Sequence, residues 1–313
     1  MTITANTSPA TSNPPAPLRG AGKTTRRASR EIALMLAPGI TVLIIFFGLP
    51  VIDLLQTSLS QWSGIGQRRF TGVDNYLQLL TDNSFLNSLL NSILLGIGTA
   101  AGIGIIATIL AALISGKIYG GAFYRIVWFL PAIAPPSAVA VFWSLSVQPR
   151  SGAVNAFLGA IGLGDTHAWL SDSSTAMYVI IAVAIWQGAG FAFLVILGAM
   201  EEVPVSTYEA ASLDGASPVR SFFLITLPLV RPVLSMIILL EAIWAFNGFT
   251  LVWGMTQGGP GDVTTILPVQ VYKEAFRFGD FGMAAAISVI GGVILLAVGF
   301  AGQWLGSRKA ADD

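Results

Sequence analysis

The sequence predicts an all-α, polytopic membrane protein with six transmembrane helices, and three observations predict it. Hydrophobic residues make up 54% of the 313 and charged residues only 10%, whereas a water-exposed domain usually carries about 25% charged residues. Six apolar stretches each reach the roughly 20 residues that cross about 30 Å of hydrocarbon as a helix. The basic residues, finally, are shared unequally between alternate connections, as the positive-inside rule expects of spanning helices.

Taken in order, residues 1–30 are rich in Ser, Thr, Pro and Ala and contain Arg19, Lys23, Arg26, Arg27 and Arg30. With no apolar period, this stretch is expected to be a disordered, basic cytoplasmic tail. Within it, Gly20-Ala21-Gly22-Lys23-Thr24 imitates a phosphate-binding loop. The motif needs a glycine where Pro17 stands and a strand ahead of it, so nucleotide binding is not expected there.

The apolar stretches run over about Ile32–Ile52, Leu89–Ile114, Ile126–Val147, Met177–Met200, Val233–Met255 and Met283–Leu305. Backbone groups inside lipid must pair within the segment, which makes each of them a helix. The first is too long for a signal peptide and has no small-residue cleavage site after it, so it reads as an anchor. The six define a transmembrane domain over residues 31–306 and a short cytoplasmic tail over 307–313.

Orientation follows from the charges. With the N-terminus inside, one face carries the five tail residues with Lys117, Arg125, Arg220, Arg231, Arg308 and Lys309. The other carries Arg68, Arg69, Arg150, Lys273 and Arg277. Eleven against five places both termini in the cytoplasm, and with them the connection between the fourth and fifth spans.

That connection, residues 201–232, reads as helix-turn-helix. Ser206 and Glu209 have capping-box spacing, Gly215 sits where a helix ends in the left-handed region, and Ser217-Pro218 looks like an N-cap followed by proline. Pro228 and Pro232 are expected to disrupt the second helix as the fifth span begins. By itself the pattern fits a lever offered to a partner and an ordinary helical connection equally well.

The residues in this loop resemble, at every defining position, the signature of binding-protein-dependent ABC importer permeases. The matching positions are Glu209, Ala210, Ala211, Gly215, Ile225, Leu227 and Pro228. Phe70–Tyr76, Leu130-Pro131, Pro135-Pro136, Phe142-Trp143, Ser151–Asn155 and Thr256–Pro260 are similar to segments of the carbohydrate-uptake, maltose-permease-like (MalF/UgpA-like) branch. The resemblance covers about residues 32 to 306 and lacks the extra N-terminal spans of some maltose permeases.

The resemblance implies the type I ABC importer permease fold, a multi-pass location in a bacterial plasma (inner) membrane, and sugar import by alternating access. It implies that the loop is the coupling helix. It also implies a homologous second permease subunit, two copies of an ATPase subunit that binds ATP and Mg, and an extracytoplasmic solute-binding protein. The chain itself would hold no cofactor.

Polar groups inside spans are costly and tend to face a cavity or a partner. Candidate sugar contacts are Trp186 and Gln187 (with Gly188) in the fourth span, Glu241, Trp244, Phe246 and Asn247 in the fifth, and Asn91 and Ser92 in the second. Aromatic faces and amide or carboxylate groups are what sugar recognition uses. No Lys or Arg lies deep in a span, which argues against an anionic cargo. Each candidate could instead be helix-packing glue. Gly96, Gly98, Gly102 and Gly104 read as one small-residue packing face. Pro131, Pro135 and Pro136 are expected to bend the third span.

Several classes are excluded. There are no cysteines and one histidine, His167, so disulfides, thiolate chemistry and most metal sites are out. Zero net charge gives no reason to expect nucleic acid. No catalytic triad or carboxylate pair is present, so the chain is not expected to be an enzyme. His167 beside Asp165 and Asp172 reads as a solvated loop, and Lys273, Glu274, Arg277 and Asp280 as surface charges. Two alternatives stand: a carrier driven by an ion gradient, or an ABC importer of a related polar solute such as glycerol phosphate or an amino sugar.

Overall fold

The computed structural model describes residues 32, 34–116, 119–164 and 166–309. The basic tail with its phosphate-loop imitation, Lys117, Asp165 and residues 310–313 lie outside the described residues. Contacts divide the chain into two units, residues 1–53 and 54–313. The described part of the first is helical and belongs to α1 (Leu34–Ser58), with a wide π turn at Ile44–Gly48.

The second unit begins with the last turn of α1 and a two-stranded antiparallel ribbon, β1 (Ser60–Gln61) and β2 (Arg69–Phe70), in which Ser60 pairs with Phe70. The segment after it is stapled back by side chains. Asn75 Nδ2 donates to the carbonyls of Ser58 (2.8 Å) and Ser60 (3.1 Å), and the Tyr76 hydroxyl donates to Ser58 Oγ (2.7 Å). These bonds account for polar residues buried beside α2 (Asp74–Thr81). Asp82 then caps α3 (Asn83–Ile114) by accepting from the Ser84 amide at 2.8 Å.

Two short helices follow, α4 (Gly121–Ile133) and α5 (Pro136–Ser146), bent by 95° at their break. After α6 (Ala153–Ala160) come the long α7 (Ala176–Glu201) and the short α8 (Val205–Leu213). α9 runs from Pro218 to Phe246, α10 spans Phe249–Met255, α11 spans Leu267–Tyr272, and α12 spans Phe281–Lys309. Among the described residues five helices are long and apolar enough to cross a membrane, or six if α4 and α5 count as one crossing.

Two boundaries differ from those expected. The fifth span begins at Pro218 rather than Val233 and ends at Phe246, with Phe249–Met255 a separate helix. Pro228 and Pro232 do not disrupt it. A π turn over Phe222–Thr226 sends the Leu227 amide to the Phe222 carbonyl, and the wider turn takes up the missing proline donor.

The bundle is held by small residues where helices approach. A Cβ on Gly98 or Gly102 of α3 would meet Ile181 or Ile185 of α7, at 3.3 and 2.2 Å. A Cβ on Gly96 or Gly104 would instead meet α9, at Ala242 O (3.3 Å) and Ile238 (3.0 Å). The four glycines thus form two faces rather than the single one expected, and α3 is wedged between α7 and α9. Closest of all, a Cβ on Gly190 would lie 2.0 Å from the Trp128 carbonyl oxygen of α4. Around these contacts Ile103, Ala107, Phe193, Ile196, Val230 and Ile237 form one buried cluster. An Arg125–Glu201 ion pair ties the start of α4 to the end of α7.

Candidate functional site

Where α4 breaks, a cavity of about 460 Å³ opens between α3, α4, α5, α7, α9 and α10. Its volume falls in the range of roughly 300–1,000 Å³ typical of small-molecule sites. The break helps to form it: Phe129 and Ala132 reach it from α4 and Pro136 from α5. The Ala134 carbonyl, released from the helix ladder at the break, accepts from Gln187 Nε2 at 3.0 Å.

Five expected contacts line the cavity: Gln187, Gly188, Glu241, Trp244 and Asn247. Glu241 is 5% exposed and its Oε1 has no hydrogen-bond partner. A glycine at 188 leaves it room, since a Cβ there would lie 3.1 Å from Glu241 Oε2. Trp244 is 51% exposed, with its ring 5.7 Å from that of Phe191 and tilted by 47°. Asn247 Nδ2 donates to the Ile243 carbonyl at 3.0 Å.

The other expected contacts do not reach it. Trp186 turns its ring against Trp143, edge to face at 5.4 Å. Phe246 is 7% exposed and packs with Leu79, Phe85 and Ile287. Asn91 and Ser92 hold the chain after α10: Asn91 Nδ2 donates to the Thr265 carbonyl (3.0 Å), and Ser92 Oγ accepts from the Leu267 amide (2.8 Å). In this structure the contacts of these four residues are with neighbouring helices and loops, outside the cavity lining.

Sequence reasoning missed Thr99 and Phe191. Thr99 lines the cavity with its Oγ1 buried and unpartnered. It is a polar side chain inside a span, the same signal that singled out Asn91 and Ser92. Phe191 follows Gln187 by one helical turn and shares its face.

At the end of α9 remote from α8, residues 256–266 fold into a hydrogen-bonded knot. Lys273 Nζ binds Asp262 Oδ1 (2.6 Å) and Thr265 Oγ1 (2.9 Å), and Thr265 Oγ1 donates to the Gly258 carbonyl (3.1 Å). The Lys273 ammonium holds the Asp262 carboxyl below its usual range. Lys273 is therefore engaged rather than a free surface charge, and burial raises the Glu274 carboxyl. Gly258 must be glycine: its φ is +92° and a Cβ would sit 2.4 Å from Thr265 Oγ1.

The loop that carries His167 is ordered by a buried asparagine. Asn155 Nδ2 donates to the His167 carbonyl (2.8 Å), and Trp169 Nε1 donates to Asn155 Oδ1 (2.7 Å). His167 stacks edge to face on Trp169 at 4.5 Å, and no metal-binding group is found among the described residues.

At the opposite end, α8 stands out from the packed helices with none of its residues buried, and Leu213 is 88% exposed. Its N-cap is Pro204 rather than Ser206, so the expected capping box is not formed. Its C-terminus is fixed by a Schellman motif. Gly215 adopts φ +79°, its amide bonds to the Ser212 carbonyl (3.1 Å), and the Ala216 amide bonds to that of Ala211 (2.9 Å). Ser217 then caps α9 through the Arg220 amide (3.3 Å), with Pro218 at its first position. Within this region Glu209 and Ala210 are exposed, Ala211, Ile225 and Leu227 are half-buried, and Pro228 is exposed. A hydroxyl contact, Tyr208 to Thr226 at 2.9 Å, links α8 to the π turn.

Comparison with known proteins agrees with this architecture. The chain is 32% identical over 259 residues to the sn-glycerol-3-phosphate transport system permease protein UgpA of Salmonella choleraesuis (strain SC-B67), covering 82% of this chain and 87% of that protein. It is 33% identical over 269 residues to YurN of Bacillus subtilis (strain 168), described as a probable ABC transporter permease, covering 85% and 92%. A bacterial ABC transporter that imports the acidic polysaccharide alginate has the same fold, with a TM-score of 0.79 at 22% identity, covering 91% of this chain and 98% of that one. Residues 100–310 match the family described as binding-protein-dependent transport system inner membrane component. This chain belongs to that family: it is an inner-membrane permease of a binding-protein-dependent transport system.

Proposed function

We propose that this chain is the membrane-spanning subunit of an ATP-driven sugar importer, with α8 as its handle for a separate ATPase. The observation that carries the proposal is the exposed, rigidly capped α8, from which the importer signature runs over residues 209–228 into α9. A helix with none of its residues fully buried against its own chain, yet ending in a fixed turn, is suited to transmit force from a partner. Glu209, Ala210, Ala211 and Gly215 would form the docking face and turn. Ile225, Leu227 and Pro228 would carry the motion through the π turn into α9.

The eleven-to-five bias of Lys and Arg supports a cytoplasmic position for both termini, and for α8 with them. The partners are a homologous second permease subunit, two copies of an ATPase that holds ATP and Mg, and an extracytoplasmic solute-binding protein. One alginate transporter of this fold is described in complex with its alginate pentasaccharide-bound periplasmic protein, which supports the last. Nucleotide at one end and loaded binding protein at the other would bias one two-state bundle. Family membership sets aside the ion-driven carrier.

Cargo would meet Gln187, Glu241, Trp244 and Asn247 in the central cavity. An aromatic face beside amide and carboxylate oxygens is suited to a sugar's C–H face and hydroxyl edge.

Gly215→Val tests the handle. Nothing lies within 4 Å of the Cβ position, so the penalty is backbone alone, about 1–2 kcal/mol for a side chain in the left-handed region. The expected outcome is a complex that assembles and hydrolyses ATP with transport lost. Normal transport by the assembled variant refutes the lever.

A further inference from the structure

The polar side chains around the cavity share a bias toward acceptors. Gln187 and Asn247 each spend an amide hydrogen on a backbone carbonyl. Their carbonyl oxygens make no hydrogen bond among the described residues. Glu241 adds a carboxylate whose Oε1 is buried without a partner, and Thr99 adds an unpartnered hydroxyl. No Lys, Arg or His lines the cavity. A buried carboxyl group that no protein donor satisfies is held at a cost, and in a membrane bundle such a residue points to function.

We propose that Glu241 sets the charge of the cargo at this site, selecting a polyhydroxylated sugar without negative charge and rejecting phosphorylated and uronic sugars. The inference rests on the importer reading above and adds to it the class of sugar. A sugar's hydroxyls donate to Glu241, Gln187 and Asn247 while its C–H face lies against the Trp244 ring. A phosphate or carboxylate placed there finds an acidic side chain and no cation to offset its own desolvation in a low-dielectric site. The site therefore differs in charge preference from what the name of UgpA states for that relative.

The test uses the intact complex purified through this chain, with tryptophan fluorescence as the readout. The probes are glucose, glucosamine, glucuronate and glucose 6-phosphate, which share one ring and differ in charge. Glucose and glucosamine are expected to change the signal, and Trp244→Phe to remove that change, while the two anions bind about tenfold more weakly or worse. Glu241→Gln is expected to weaken glucose about fivefold, the size of one hydrogen bond, and to close most of the gap to the anions. Thr99→Val should weaken all four probes alike, and together with the wild-type panel it decides the matter should Glu241→Gln fail to assemble. Wild-type complex that binds glucose 6-phosphate as well as glucose overturns the proposal, as does a Glu241→Gln complex with an unchanged gap. A purified complex without an ATP-hydrolysing subunit overturns the importer reading itself, whatever the probes show.

Discussion

The third and fifth spans both carry prolines, and they respond to them differently. Between α4 and α5 the chain breaks by 95°, whereas α9 passes Pro228 and Pro232 and stays one helix. The difference lies in the neighbours of each proline. Pro135 stands before Pro136, so it is pushed out of the helical region, to φ −57° and ψ 136°, and Ala134 before it is extended too at ψ 134°. Two consecutive extended residues cannot be absorbed by a helix. Pro228 follows a π turn that has already released one ladder bond, and Pro232 lies on an exposed side of the helix. Single prolines with room on one side bend little. A proline pair cuts, and here the cut opens the cavity and hands the Ala134 carbonyl to Gln187.

Three substitutions would sharpen or break this comparison. The largest effect is expected at Gly190, where the broken span is clamped to α7. Gly190→Ala puts a methyl 2.0 Å from the Trp128 carbonyl oxygen, a backbone atom that cannot step aside. It should cost about 3 kcal/mol, toward the upper end of overpacking penalties, and strip the protein from the membrane fraction. An unchanged melting temperature would show that α4 is not clamped there. Pro135→Ala comes next. It frees Ala134, though not residue 135 ahead of Pro136, to return to helical dihedrals, and should cost about 0.4–1 kcal/mol, the conformational restriction that a fitting proline supplies. The chain has no cysteines, so a cysteine pair placed across the cavity mouth would report the straightening as a lost crosslink. A crosslink formed at the wild-type rate would contradict the account of the break. The smallest effect belongs to Pro228→Ala, expected within about 0.5 kcal/mol of neutral. If the proline strained α9, its removal would instead recover up to about 3 kcal/mol in a denaturation midpoint.

The broad result was legible in the residues. Composition and six apolar stretches gave the membrane-spanning class, and the spacing Glu209-Ala210-Ala211, Gly215, Ile225, Leu227-Pro228 pointed to the family. Gly215 was assigned the left-handed turn it adopts, and Pro131, Pro135 and Pro136 were assigned the bend. The start of the fifth span was misplaced by fifteen residues (Val233 against Pro218) because polar residues and prolines between 218 and 232 hide its first turns from a hydropathy scan. Its end was misplaced because Asn247-Gly248 divides an apolar run into two helices. Of the candidate contacts, Gln187, Gly188, Glu241, Trp244 and Asn247 line the cavity, while Trp186 and Phe246 lie outside its lining. The helices that carry them are apolar nearly all round, so no stripe marks which side faces inward.

What the sequence determined alone was local. The cost of unpaired backbone in lipid makes any twenty-residue apolar run a helix, and a glycine at the end of α8 needs only its own dihedral freedom. What tertiary structure decided was rotational: which face of α7 and α9 meets a neighbour, which glycines of α3 touch which helix, and that Glu241 and Thr99 come together unpartnered. Those choices depend on the fit of side chains from segments far apart in the sequence, and no single segment contains that information.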